Sequence, residues 1–322
     1  MVARCVPRHP GRRRVTGICP LDLLADIGGT NTRVAFRDGA IGPVHLRRTA
    51  DFPTLEALLT DVIRVAGAAP RRTALAVAGP VSGDEVALTN LPWKFSARAL
   101  GAYLGTPVAV ENDVAAVAWA LTALGPAHRR LLTDTETGDG ARVVVAPGTG
   151  LGISALVPDR RGGWCAAASE GGHAGMALPR GLAAEDRGAL KACDTSWEDL
   201  VSGIGLARLY RALGGDAAVD TPEAVTARAD QHEARAVRAL DVFSLLLGAF
   251  AGDAVLMFAG RGGCFLAGGL LTSIGGLFKP DLFLKGFRDK DRFSGYMADI
   301  PVFRITHPQP ALAGLGVVLD RA

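Results

Sequence analysis

The segment Asp26-Ile27-Gly28-Gly29-Thr30-Asn31 sets a carboxylate before two glycines and then hydroxyl and amide donors. Exposed amides in such a turn can face an anion such as a phosphate. Alone it reads equally as an ordinary Gly-Gly hairpin with Asp26 as a turn residue. A second turn, Gly148-Thr149-Gly150-Leu151-Gly152, offers alternate glycines around a hydroxyl. It is not a Walker loop, because no Lys-Ser or Lys-Thr follows, and its GxGxG spacing is not the dinucleotide fingerprint. Two such turns in two halves of one chain could grip a nucleotide between them. A third glycine pair, Gly268-Gly269, follows an apolar run and would let a purine ring approach the backbone closely.

Asn112 and Asp113 stand where a β-like run gives way to a helical one, the place where ligands gather in open α/β sheets. An Asp there either caps the helix or accepts the proton of a substrate hydroxyl during phosphoryl transfer. Glu170-Gly171-Gly172-His173 spaces a carboxylate and an imidazole across two glycines, so both can face one small polar ligand or decorate a surface loop. Glu198 is either a further ligand contact or a first-turn helix acid that favours the dipole. No second histidine lies at ligand spacing, so no protein-held metal is expected.

The elements that must carry these residues alternate in the manner of an α/β chain. Leu21 to Ala25 and Arg33 to Arg37 read as strands around the first turn, Leu55, Leu58, Leu59, Val62 and Ile63 as one helix face, and Ala74 to Ala78 as a strand. Pro107 to Val110 reads as a strand running into Glu111-Asn112-Asp113, and Val114 to Leu121 as an apolar helix. Arg142 to Ala146 and Ile153 to Val157 repeat the strand–turn–strand unit. Further on come a helical stretch from Trp197 to Leu213, a long apolar helix from about Glu233 to Phe258, a strand from Cys264 to Ala267, a strand from Pro301 to Ile305 and a closing helix from Ala311 to Leu319.

A chain of 322 residues, 49% hydrophobic and 21% charged, is long enough for two domains and too apolar for a disordered protein. The formal charge of +3 includes Arg4, Arg8, Arg12, Arg13 and Arg14 in a stretch without acids, and the remainder is slightly acidic at −2. No basic stripe suits nucleic acid. Cys5, Cys19, Cys165, Cys193 and Cys264 are odd in number and form no CxxC pair, which points to free thiols in a reducing cytoplasm rather than to disulfides or zinc. The longest uncharged apolar run, Val242 to Gly252, has eleven residues, short of the ~18 that span a bilayer. Residues 1–20 read as a disordered basic extension, with Pro7, Pro10 and Gly11 against an amphipathic presequence helix.

Taken in order, ADIGGTNTR at 25–33, LTNLPWKFS at 88–96, VENDVAAVAWAL at 110–121, APGTGLGIS at 146–154, SEGGHAGMAL at 169–178, WEDLVSGIGLARLYRAL at 197–213 and FLAGGL at 265–270 resemble the bacterial glucokinase family of the proteobacterial type. The resemblance runs from Leu21 to Ala322, and seven motifs in order are specific where each alone is weak. It implies a two-domain α/β fold of the actin-like ATPase (ribonuclease H-like) kind with an active-site cleft between domains. The expected small domain covers 21–122 with 309–322 returning to it, and the large one 123–308. By resemblance Asp113 is the catalytic base, and Asn112, Asp113, Glu170, His173 and Glu198 contact the sugar. Ala25, Asp26, Ile27, Gly28, Gly29 and Thr30, with Gly148, Thr149, Gly150, Gly268 and Gly269, bind ATP.

The implied reaction is transfer of the γ-phosphoryl group of ATP to the 6-hydroxyl of D-glucose, the first step of glycolysis, with Mg2+ required and a cytoplasmic homodimer as the assembly. Small molecules are the expected partners, with neither nucleic acid nor membrane. The rival readings are a kinase for another hexose and a catalytically silent sugar-binding regulator. The intact Asp113, and the lack of a helix-turn-helix segment before the core, count against the regulator. Departures from the family pattern are the arginine-rich extension, Ala25 in place of a glycine, and a shortened segment at Gly286 to Phe293.

Overall fold

The computed structural model describes residues 21–89, 91–135, 138–191 and 196–321, so the expected extension at 1–20 lies outside the described residues. The first sheet is built by β1 (Leu21–Ile27), β2 (Asn31–Asp38), β3 (Ala40–Arg48) and, after helix α1 (Leu55–Ala66), β4 (Pro70–Val77). A small hairpin of β5 (Glu85–Ala87) and β6 (Lys94–Ser96) and helix α2 (Ala97–Leu104) intervene before β7 (Val108–Asn112) closes it. Its strand order is β3-β2-β1-β4-β7, antiparallel through the hairpins and parallel from β1 through β4 to β7. Helix α3 (Asp113–Ala120) follows β7 without a loop, its start set by the cap at Asn112.

The second sheet comprises β8 (Arg129–Leu131), β9 (Arg142–Pro147), β10 (Leu151–Pro158), β11 (Trp164–Ser169), β12 (Gly263–Leu266) and β13 (Val302–Ile305), in the order β11-β10-β9-β12-β13-β8. Its first five positions repeat the directions of the first sheet, an antiparallel three-stranded meander followed by two parallel strands. The two glycine turns therefore occupy equivalent places in two copies of one supersecondary pattern. Between β11 and β12 lie α4 (Ala184–Leu190), α5 (Gly203–Ala212), α6 (Pro222–Asp230) and α7 (Ala234–Met257). Helices α8 (Gly269–Ile274), α9 (Pro280–Arg288) and α10 (Ser294–Ala298) separate β12 from β13, and α11 (Pro310–Arg321) ends the described chain.

Helices α3 and α11 pack together between the sheets, with Leu24, Ala35, Ala74 and Ala76 of the first sheet on one side and Val144, Leu156, Phe265 and Phe303 of the second on the other. The far face of the first sheet is covered by α1 and that of the second by α5, α7 and α9. Helix α7 has 24 residues and is long and apolar enough to cross a membrane by composition, yet 78% of its most apolar window is buried inside the protein, which makes it the core helix of the larger layer. The helix expected from about Glu233 to Phe258 is thus present as Ala234–Met257, with Asp241 and Asp253 inside it bounding the longest uncharged run without ending the helix.

Two expectations need correction. The first glycine hairpin continues into a third strand, β3, which the sequence reading did not foresee. The helical stretch expected from Trp197 begins only at Gly203, where the Ser202 hydroxyl accepts from Gly205 N at 3.0 Å. Residues 197–201 are instead tied by their backbone to other turns, with Trp197 N donating to Ala174 O and Glu198 N to Gly172 O. Glu198 is therefore not a first-turn helix acid.

Candidate active site

The chain enters the site along β1. Asp26 ends this strand, and the turn after it is held from behind by Thr49, whose buried hydroxyl donates to Gly28 O at 2.8 Å while its amide donates to Thr30 O at 3.0 Å. Gly29 and Thr30 are exposed, and their amides have no backbone partner among the described residues. The second turn has the same character. Gly148 N bonds Gly150 O at 2.8 Å, and the amides of Thr149 and Gly150 stay free of backbone partners among the described residues. Both turns thus offer backbone donors without backbone partners among the described residues, the kind of group that suits phosphate oxygens.

The second turn also packs against the start of α3. A Cβ on Gly152 would lie 2.3 Å from a methyl of Val114, so a larger residue there would force the Val114 side chain or α3 to shift. The third glycine pair closes the same wall. Gly268 has φ +96°, and a Cβ there would meet Pro147 O at 2.2 Å. Sequence-distant motifs at 148–152 and 268–269 are therefore neighbours on adjacent strand ends of the second sheet.

Asn112 and Asp113 lie at the junction of β7 and α3. The cap that the sequence left open falls on Asn112, whose Oδ1 accepts from Val114 N and Ala115 N, each at 3.0 Å, while its Nδ2 donates to Gly79 O at 3.2 Å. Asn112 is thereby fixed with one Nδ2 hydrogen to spare. Asp113 Oδ1 accepts from Val114 N at 2.9 Å, and Oδ2 has no partner among the described residues. Burial, together with the nearby carboxylates of Asp26 and Glu170, pushes the Asp113 carboxyl up to about 7, against the pull of the Val114 amide. Asp26 is itself pushed above the ordinary carboxylate range by burial, with Arg33 Nη1, 3.8 Å away, pulling the other way.

The Glu-Gly-Gly-His turn and the segment from Ser196 to Ser202 complete the floor. Glu198 Oε2 accepts from Leu151 N at 2.8 Å, and its Oε1 lies 3.6 Å from His173 Nδ1. One carboxylate thus connects the second glycine turn to the imidazole, and Gly203 N adds a bond to Gly148 O at 2.8 Å. Glu170 and His173 are exposed, open to a polar ligand from the solvent side.

Three contributors escaped the sequence reading. Thr49 sits after the unforeseen β3, and Gly79 acts through its carbonyl, so neither carries a local signal. Glu111 was visible only as the residue before Asn112. Its Oε1 accepts from Asn112 N at 3.2 Å and its Oε2 from Trp119 Nε1 at 3.1 Å.

Duplicated sheets around two central helices, with paired glycine turns and an unclaimed carboxylate oxygen on Asp113, define a fold of the actin-like ATPase class. The comparisons with known proteins narrow this. The glucokinase family model matches residues 23–322, and the chain belongs to that family. It is 39% identical to a glucokinase of Paramagnetospirillum magneticum over 315 residues, covering 92% of this chain and 97% of that one. A crystal structure of a glucokinase from an Antarctic psychrotroph superposes with a TM-score of 0.81 at 30% identity, covering 94% of this chain and 99% of the other. The glucose complex of a Balamuthia mandrillaris glucokinase, at 22% identity and a TM-score of 0.78 over 94% of both chains, shares the fold.

Proposed function

We propose that the chain phosphorylates D-glucose with ATP to give D-glucose 6-phosphate, with Asp113 as general base. The observation that carries the base assignment is the convergence on this one side chain: Asp26 from the first turn and Glu170 from the sugar-side turn both act on a carboxyl whose Oδ2 is unclaimed. A group titrating near neutrality is matched to accepting a hydroxyl proton at physiological pH.

In this reading Asn112, Glu170, His173 and Glu198 pair with the sugar hydroxyls, and a sugar lacking one hydroxyl leaves a polar group unpaired. Asp113 Oδ2 orients the 6-hydroxyl and takes its proton as the γ-phosphoryl group transfers. The turns at 25–30 and 148–150 cradle the phosphates through their backbone amides, and Gly268 and Gly269 admit the adenosine. Among the described residues no group of three or more His, Cys, Asp or Glu side chains is arranged to hold a metal ion directly, and Asp26, at the end of β1 beside the first glycine turn, is the carboxylate that suits a hard cation carrying its own waters. Magnesium arriving with ATP would neutralise developing charge on the phosphates, with Asp26 reaching it through water.

The same reading takes 21–122 with 309–322 as a small domain and 123–308 as a large one, closing on the sugar to exclude water. The separate sheets, with α3 and α11 between them, support that division. The cytoplasmic, homodimeric setting and the glycolytic role follow from the family resemblance, and sedimentation tests the assembly.

The test compares glucose 6-phosphate formation from ATP, magnesium and glucose by the native chain and by Asp113→Asn, with calorimetric glucose binding in parallel. Turnover that falls by roughly 10²–10⁴ in the variant, with glucose still bound, is the expected result. Native binding without turnover would favour a regulator, and faster turnover of another hexose would reassign the substrate.

A further inference from the structure

We infer that Glu111 is a positioning residue for the transfer step, its carboxylate tying the backbone that enters Asn112-Asp113 to Trp119 in the last turn of α3. The inference rests on Asp113 being the base. Strand β7 is an edge of its sheet, so an N–H on its outer side has no neighbouring strand to pair with. Asn112 N is instead held by Glu111 Oε1 at 3.2 Å, while Glu111 Oε2 is held by Trp119 Nε1 at 3.1 Å. The bridge spans the strand-to-helix corner at Asn112, where the backbone leaves the extended region (φ −62°, ψ 144°) and the helix begins with Asp113. Rotation at that corner swings Asp113 Oδ2 relative to any sugar held by Glu170, His173 and Glu198 on the other side.

An apolar side chain here would leave the N–H groups of buried Asn112 and Trp119 without these partners. Glu111 is partly buried between the first sheet and α3, and burial pushes its carboxyl above the ordinary range. That cost is offset by two N–H donors, one on each side of the corner. The far end of the bridge is anchored as well. The Arg321 guanidinium lies 4.4 Å from the Trp119 ring centroid, and its Nη2 donates to Trp164 O at 2.9 Å. A cation over the ring face and a carboxylate at the N–H edge both suit the charge distribution of the indole. The chain of contacts runs from the C-terminal helix through Trp119 and Glu111 to the amide of the residue before the base.

The experiment is a double-mutant cycle between Glu111→Gln and Asp113→Asn, with rates normalised to glucose-binding sites and KM recorded for glucose and MgATP. Gln cannot accept both N–H groups, so one arm of the bridge is lost. The expected result is a kcat about tenfold lower in Glu111→Gln with both KM values within about twofold of native. In the Asp113→Asn background the same change should alter the residual rate by less than about twofold, because the group being positioned is gone. A native kcat in folded Glu111→Gln, or an equal loss in both backgrounds, overturns the inference. Trp119→Phe, which removes the other arm, decides the matter if Glu111→Gln does not fold: a kcat loss confined to the background with Asp113 supports the bridge, and an unchanged kcat refutes it. Failure of the base assignment shows separately, as a native rate in Asp113→Asn alone.

Discussion

At Asp113 the charge that burial opposes is the charge that proton transfer requires. The base acts only when ionised, so with its carboxyl near 7 the kcat/KM for glucose should climb about tenfold per pH unit below neutrality and level off above it. A pH–rate profile checks this, and a profile flat from pH 5 to 8 would exclude Asp113 as the titrating base. The same shift has a consequence for stability. The unfolded carboxyl titrates near 3.8 and the folded one near 7, so the folded chain binds this proton more tightly. Asp113 therefore adds no penalty below about 3.8, an increasing one as pH rises to 7, and its full penalty above. Asn carries no such penalty, so the melting temperature of Asp113→Asn minus that of the native chain should grow from pH 5 to pH 8. A difference independent of pH would show that the burial seen in the fold does not act on this carboxyl.

At the scale of elements, the site depends on how closely α3 approaches its neighbours. Gly314 of α11 leaves no room at the crossing with α3, since a Cβ there would fall within bonding range of Ala116 O. Gly314→Ala must push the helices apart, with an expected loss of about 1–3 kcal/mol in denaturant unfolding and a fall in kcat as the N-terminus of α3 shifts. Unchanged stability would mean that the crossing tolerates separation. Much of this architecture was legible, because its signals are local. Glycine turns between apolar runs mark both hairpins, and an unbroken apolar stretch after Asp113 marks a helix buried on all sides. Strand β3 was not legible: its AIGPVHLRR sequence lies half-exposed at a sheet edge, with Gly42 and Pro43 breaking the alternation. Residues 197–201 carry helix-like spacing but take their conformation from bonds to Gly172 and Ala174, distant partners that no local pattern encodes. The role of Thr49 was hidden for the same reason, since Gly28 is brought near it only by folding, whereas that of Glu111 depends on the turn from β7 into α3 that returns Trp119 to its side.

Across the whole molecule, the end of the described chain is locked to its beginning on the side of the first sheet away from the glycine turns. Asp22, fully buried at the start of β1, accepts from Arg37 Nη2 at 2.7 Å, Arg71 Nε at 2.8 Å and Arg72 Nη2 at 2.9 Å. Arg37 also donates to both oxygens of Asp320 near the end of α11, at 2.8 and 2.7 Å, and Arg72 Nη1 donates to Leu319 O at 2.6 Å. The network fastens α11 to the sheet whose opposite end carries Asp26, and α11 in turn backs α3. Burial pushes the Asp22 carboxyl up, but the three guanidiniums outweigh it and hold it far below the ordinary carboxylate range. Its contribution is therefore present above the ordinary value near 3.8 and is lost as pH falls further toward the folded value. Removing the charge weakens bonds to Arg37, which keeps Asp320, and to Arg71 and Arg72, which are partly exposed to solvent, so Asp22→Asn should cost about 1–3 kcal/mol at pH 7. Because the variant has already lost what acid removes from the native chain, the gap between their denaturation midpoints should narrow as pH drops below 4. Denaturant titrations of both chains at pH 7 and at about pH 2.5, well below the ordinary carboxylate value, check the two statements together. A small gap at pH 7 would mean that the first sheet holds α11 by apolar packing alone, and a gap that persists in acid would assign the loss to something other than the Asp22 charge.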